Sequence, residues 1–250
     1  MENSLLVALS RQVSLQRELD VVANNMANVN TSGFRREAVQ FEEYMMPNGS
    51  ADAFRSLDKR LSFVQDRATY NDFQSGPLQS TNNPLDVALE GNAFFVVQTP
   101  AGERFTRAGN FKLDNQGQLT TNTGAPVLSD SGPVVITPED GEVTIARDGT
   151  ISTNQGTRGR LRLAEFENPQ QLLKEGDGLF RLGDGQAANV PAPGTVRVSQ
   201  GMIEGSNVRP VLEMSRLIEL NRAYTSISSL IQRSDELRKT AVEQLAAIPS

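Results

Sequence analysis

SLQRELDVVANNMANVNTSGF, residues 14–34, decides how the rest of the chain is read. Leu15, Leu19, Val22, Met26 and Val29 recur at spacings of four, three, four and three. That period places them on one side of a helix and marks the side as a seam for another helix. Asn24, Asn25, Asn28 and Asn30 weaken the helix toward its end, and Ser32 with Gly33 stops it, because Gly accepts the left-handed cap conformation. The pattern predicts a helix over residues 4–29. A partner stands at the opposite end of the chain, where Leu217, Leu220, Tyr224, Ile227 and Ile231 are spaced three, four, three and four. Leu237, Ala241, Leu245 and Ile248 continue an apolar face. Asn207 is suited to cap this second helix and Pro210 to sit in its first turn, where a missing N–H costs little. A helix of about 40 residues would be about 60 Å long, longer than a small globular core needs. The ten seam residues, flanked by Glu213, Arg216, Glu219 and Arg222, are the candidate interaction surface.

Between the two helices the pattern changes to short β-branched and aromatic runs. Candidate strands are 93–98, 104–106, 109–113, 134–137, 142–146, 160–165 and 195–199. Asp114 to Gly117, Asp140-Gly141 and Asp148-Gly149 supply hairpin chemistry, since Asp-Gly readily takes positive φ. Asn168, Pro169 and Gly176 read as the cap, first position and stop of one short helix. Residues 31–84 follow neither period, with a loop at Pro47, Asn48 and Gly49 and an extended tract from Phe63 to Pro84. The expected fold is α+β. A discontinuous, coiled-coil-like helical domain (1–30 and 205–250) is joined through an extended linker or interface segment (31–84) to an inserted β-rich domain (85–200).

Composition removes most catalytic chemistry. The 250 residues contain no His and no Cys, so imidazole bases, thiolate nucleophiles, disulfides and the commonest zinc, copper and haem ligands are missing. No cofactor and no metal are expected. A formal charge of −6 argues against nucleic acid, whose recognition rests on clustered Lys and Arg. The N-terminal apolar stretch lacks a basic n-region and is interrupted by Arg11, so it does not read as a cleaved signal peptide. No apolar run approaches the roughly 20 residues that span a bilayer, and direct membrane insertion is not expected. Asp114-Asn115-Gln116-Gly117 lacks the spaced acids and terminal Glu of a calcium loop and reads as a turn. Gly183-Asp184-Gly185 lacks the strand and helix of a dinucleotide fingerprint and reads as a loop. A glycosidase would need two facing carboxylates in a cleft and usually aromatics to stack sugars, yet the chain has no Trp and three Tyr. A secreted adhesin or phage-tail component would share an assembly logic without explaining both chain ends.

Three blocks carry a resemblance. LDVVANNMANVNTSGFRRE (19–37) is similar to the N-terminal signature of flagellar rod and hook proteins. PLDVALEGNAFFVVQ (84–98) with RFTRAGNFKLDNQGQLTTNTGAPVL (104–128) resembles the central domain of that family, and GMIEGSNVRPVLEMSRLIELNRAY (201–224) resembles its C-terminal signature. The length is short for a hook protein, and GAPVLSDSGPVVI (124–136) looks more like the proximal-rod type than the distal-rod FlgG type. The resemblance implies a non-enzymatic axial subunit in the periplasm-spanning rod of the basal body, exported through the flagellar type III apparatus. It implies as partners the FlgB and FlgC types of proximal rod protein, the FlgG type of distal rod protein, and further copies of the same chain.

Overall fold

The computed structural model describes residues 2–47, 60–183, 185, 187–192 and 194–246. The predicted loop positions Asn48 and Gly49, the residue Asp184 and the last apolar position Ile248 lie outside them. The fold is α+β: two helices, α1 (Glu2–Ala27) and α2 (Pro210–Ala246), stand at the chain ends and the strands lie between. The chain forms two compact units. One contains residues 1–27, 37–70 and 209–250, and the other residues 28–36 and 71–208.

In the first unit α1 packs against α2 and against strand Glu37–Pro47, which pairs with strand Arg60–Asn71 in a two-stranded sheet. The helices run antiparallel, because contacts near the start of α1 reach late positions of α2: Gln12 Nε2 donates to Ser228 Oγ at 3.2 Å, and Arg216 donates to Glu18 Oε1 at 2.6 and 2.9 Å. α1 ends two residues before the predicted position. Val29 is in the turn beyond it, where Thr31 N–H donates to the Asn28 carbonyl at 3.1 Å. The paired strands at 37–71 were not legible as a sheet, since EAVQFEEYMMP alternates at no fixed period.

The second unit is built on a five-stranded antiparallel sheet in the order Leu163–Glu165, Ala93–Thr99, Gly102–Thr106, Leu179–Arg181, Leu173–Gly176. Strand Ala93–Thr99 reads AFFVVQT because it is covered on both faces. Successive side chains of a strand point to opposite sides, so Phe95 and Val97 enter one apolar cluster with Leu89, Phe111, Leu119 and Ile151, while Phe94 and Val96 enter another with Phe105, Phe166 and Phe180. Phe95 meets Phe111 edge-on at 5.0 Å, and Phe105 meets Phe166 edge-on at 4.9 Å. Aromatic edge-to-face pairs add to the burial energy of the rings themselves.

Two local expectations are corrected. Pro169 begins only a three-residue 3-10 turn, Pro169–Gln171, and Leu172 then turns to extended backbone. Leu172 is buried in the second cluster, and Leu173–Gly176 forms a hairpin with Leu179–Arg181 through Asp177 (φ 51°) and Gly178 (φ 70°). Pairing with a neighbouring strand and burial of Leu172 outweigh the helix-start signal of Asn-Pro. Asp140-Gly141 makes no hairpin either, because Asp140 closes the 3-10 turn Pro138–Asp140.

Asp140 is buried, and its carboxylate accepts hydrogen bonds from Thr137 N–H at 2.6 Å, Thr137 Oγ1 at 2.9 Å, Thr153 Oγ1 at 3.0 Å and Arg158 Nε at 2.7 Å. Burial pushes its pKa up, but the bonds from Thr137, Arg158 and Thr153 outweigh burial and hold it well below the usual carboxylate range. A carboxyl depressed in the folded state stabilises the fold above its unfolded pKa of about 3.9 and loses that contribution as pH falls toward the folded value. Asp140→Asn should therefore melt below the parent protein at pH 7, with the difference shrinking as pH drops below about 4. Thermal melts across a pH series check this, and a gap independent of pH would refute the assignment.

Candidate assembly surfaces

The seam read from the sequence is used within the chain. Leu15, Val22 and Leu220 are buried together, and Leu19, Leu217, Tyr224 and Ile227 pack against them, as does Ala223. Met26 and Ile231 are half-buried outside this cluster, and half-buried Val29 belongs to the second unit. Polar side chains close the seam. Asn25, fully buried, donates to the Glu37 carbonyl at 2.8 Å and accepts from Glu37 N–H at 2.9 Å, and it reaches Glu213 Oε2 at 3.4 Å. That pairing satisfies a strand backbone with a helix side chain and links α1, α2 and strand Glu37–Pro47 in one unit. On the solvent side Glu18 raises the pKa of Arg216 by hydrogen bonding to its guanidinium.

A second apolar set is left uncovered. On α1, Leu6, Leu9 and Val13 are about half exposed or more, and on α2 so are Val211, Met214 and Ile218. Both triplets are spaced three and four, the spacing of a single helix face. Further along α2, Leu230, Leu237 and Val242 are also exposed. The antiparallel register, continued at the same rise per residue, brings the start of α1 opposite roughly Glu236, so the final turns of α2 extend past their intrachain partner. The sequence reading favoured the seam. The exposed rows carry the same helical signal, and spacing alone does not say which of two apolar rows a chain covers itself.

In the second unit, sequence reasoning missed a buried ionic cluster. Glu204, with no exposure, accepts from Arg35 Nη2 at 2.8 Å and from Gly76 N–H at 2.9 Å through Oε1, and from Arg107 Nη1 at 3.4 Å through Oε2. Its backbone carbonyl accepts from Gly33 N–H at 2.8 Å. Arg107 donates further to the Gly91 carbonyl at 2.5 Å and lies 5.0 Å from the centre of the Phe94 ring. Burial lowers the pKa of Arg107 to about 10 against the opposing pull of Glu204, with Arg35 adding repulsion. The surrounding backbone is close-packed. A Cβ on Gly33, whose φ is +68°, would stand 2.4 Å from Ala108 N, and one on Gly76 would stand 2.0 Å from the Gly205 carbonyl oxygen. Asn207, expected as a helix cap, instead joins three segments: it accepts from Arg36 N–H at 2.7 Å and donates to the carbonyls of Asp72 at 2.7 Å and Gln74 at 3.0 Å. α2 begins at Pro210, three residues later. The N-terminal and C-terminal signature blocks, quoted above for their resemblance, therefore meet physically at Arg35, Glu204 and Asn207. The only trace of this in the sequence is that Arg35 and Glu204 sit inside those blocks.

Among the described residues no group of three or more His, Cys, Asp or Glu is placed to hold a metal ion, and no helix is long and apolar enough to cross a membrane. Known proteins match the sequence over nearly its whole length. Family models described as flagella basal body rod protein, flagellar hook protein FlgE/F/G D1 domain and flagellar basal body rod FlgEFG protein C-terminal match residues 5–35, 88–153 and 199–245. Flagellar basal-body rod protein FlgF of Caulobacter vibrioides is 41% identical over 99% of this chain and 100% of its own length, and FlgF of Mesorhizobium japonicum is 38% identical over 96% and 98%. FlgG of Bacillus subtilis is 34% identical over 97% and 98%. The chain belongs to the FlgF-like flagellar basal-body rod proteins. Like its FlgF relatives it is a structural rod subunit of the motility apparatus and not an enzyme. As a rod protein it assembles with other rod and hook components. In this FlgF-like chain the matched terminal segments contain most of α1 and α2 and both halves of the Arg35–Glu204 pair.

Glu204→Gln would leave two buried guanidinium groups without a counter-charge. Removing one partner of a buried pair costs about 3–5 kcal/mol, so urea unfolding of the variant should shift by that order, with Arg233→Gln at an exposed position of α2 as the near-neutral control. A shift within 0–1 kcal/mol, the range of a surface ion pair, would show that the cluster does not hold the fold.

Proposed function

We propose that the helix pair is the assembly domain of this rod subunit and that it joins neighbours by coiled-coil-like packing into the axial tube. The observation that carries the reading is the pair of uncovered apolar rows on helices whose other seam is already closed inside the chain. In this division of labour Leu15, Leu19, Val22, Met26, Leu217, Leu220, Tyr224, Ile227 and Ile231 serve assembly by building the helix pair, and Val29 by its place in the turn that follows α1. Leu6, Leu9, Val13, Val211, Met214 and Ile218 meet the next subunits. Contacts between unlike faces that do not close generate helical filaments, the symmetry a rod needs.

The domain scheme that fits this role is an assembly domain at 1–30 and 205–250, an interface segment at 31–84 and a β-rich domain at 85–200. The neighbours are copies of the same chain, proximal rod proteins of the FlgB and FlgC types and the distal rod protein of the FlgG type. The subunit reaches the periplasm-spanning rod through the flagellar type III export apparatus. There it transmits torque and lines the passage of later exported subunits. Isolated helices stay marginal until packing offsets the entropy of ordering them, which keeps unassembled subunits from polymerising early.

Two variants separate the two helix faces. Leu220→Asp with Ile227→Asp buries unpaired charge in the closed seam at a cost of several kcal/mol. It should reduce helical circular dichroism while the β signal persists, and cells should be non-motile with truncated rods. Leu9→Ser, Val13→Ser, Met214→Ser and Ile218→Ser combined should leave circular dichroism unchanged and still stop the rod before its distal segment. Basal-body imaging that shows full rods containing the second variant would refute the assembly role of the exposed rows.

A further inference from the structure

Within the β-rich unit lies a groove of about 500 Å3 whose lining includes Arg147, Asp148, Arg160, Arg162, Arg197 and Asp130. Its walls are fixed by backbone bonds: Val198 N–H to the Arg147 carbonyl at 2.9 Å, Leu161 N–H to Gly149 at 2.8 Å, and Asp130 N–H to Arg160 at 3.0 Å. The four arginines are not equivalent. Arg162 is held by both oxygens of Glu103 at 2.7 and 3.0 Å, and Arg160 Nε donates to the Asp148 carbonyl at 2.7 Å. Arg147 and Arg197 are exposed, and among the described residues neither guanidinium group has a hydrogen-bond or ion-pair partner. The Asp148 carboxylate is engaged by Thr150, through N–H at 3.1 Å and Oγ1 at 2.8 Å. With Arg162 neutralised by Glu103, Arg147, Arg160 and Arg197 face Asp130 and Asp148, which leaves the groove positive in a chain of formal charge −6. Apolar side chains, Leu161, Leu163, Val190 and Val196, line the same groove, and Val190 is 86% exposed.

We infer that this groove is a docking site for an acidic peptide segment, bound in extended form with its carboxylates on Arg147 and Arg197 and its apolar side chains against Val190 and Val196. Guanidinium groups pair with carboxylates through parallel N–H donors, and these two are the arginines of the groove with all donors available. The size and the mixed lining favour a peptide over a single inorganic anion. No aromatic side chain lines the groove, so the stacking platform used for single-stranded nucleic acid is missing. Its lining residues all belong to the second unit, and the inference does not depend on how the helices assemble.

The test uses the full-length protein and fluorescein-labelled hexaglutamate peptide, followed by anisotropy at low salt. Saturable binding is expected, weakened tenfold or more by Arg147→Gln with Arg197→Gln, and weakened again on raising salt, as an ion-pair contact requires. Both arginines are exposed and unpaired, so their loss leaves no buried group, and unchanged circular dichroism would confirm that the variant is folded. Arg222→Gln with Arg233→Gln on α2 changes net charge equally and should bind as the parent does. The inference is overturned by equal weakening in the two double variants, by absence of binding at millimolar protein, or by displacement of the peptide by equimolar inorganic phosphate, which would mark a simple ion site. Groove-dependent binding of labelled oligothymidylate tighter than that of the peptide would overturn it as well.

Discussion

One carboxylate, that of Glu204, answers for two buried guanidinium groups, and the way the chain closes depends on it. Arg35 is 169 residues away in sequence and Arg107 is 97 residues away. Gly76, which also donates to Glu204, comes from a third segment. Charge cannot stay buried without compensation, so none of these groups reaches its native environment until all the segments have arrived. The second compact unit accordingly includes residues 28–36, although the β-rich stretch proper begins far downstream. Contacts of such sequence separation must first overcome loop-closure entropy, and the unit organised around them folds as a closed whole or not at all.

The helices are governed by a different constraint. Among the described residues three apolar side chains are buried in their seam, against fifteen in the larger cluster of the β-rich unit. A helix pair with so small a core holds weakly on its own, since helical stability in proteins comes mostly from packing of an apolar face. The exposed Leu, Val, Ile and Met on both helices are apolar surface that the helix pair leaves uncovered. Under the assembly role proposed above, a strong β-rich unit and a weakly held helix pair are compatible demands.

What was legible in the sequence follows the strength of the local signal. Both helices could be read to within two or three residues, because four successive apolar spacings of three and four in each admit one period. The AFFVV run announced a strand, and Asp114 and Asp148 announced turns. The misreadings share a cause, namely tertiary partners that no window of sequence contains. Asn168-Pro169 opens a helix only if the following residues stay helical, and Leu172 leaves for the core. Asn207 has the chemistry of a cap but is recruited by Arg36, Asp72 and Gln74. Strands 37–47 and 60–71 pair with each other and present no alternation to be found. Arg35 and Glu204 look like surface charges in any window, since Arg and Glu are almost never fully buried without a partner.

That last point bears on why ions, and not apolar residues, occupy the junction. A buried salt bridge adds little net stability over a well-packed hydrophobic replacement of equal volume. It differs in what it tolerates. An apolar cluster can slide by a fraction of a side chain at small cost, whereas a guanidinium that moves off its carboxylate leaves two charges buried and unpaired. The Arg35–Glu204–Arg107 arrangement, reinforced by the Asn207 bridges and by glycines with no room for a Cβ, thus fixes the register of the segment that follows α1 against the segment that precedes α2. A rod is a repeated structure, and its subunits have to present their ends in the same way each time. A junction that accepts one register and penalises the rest meets that requirement more directly than a stronger but more permissive core.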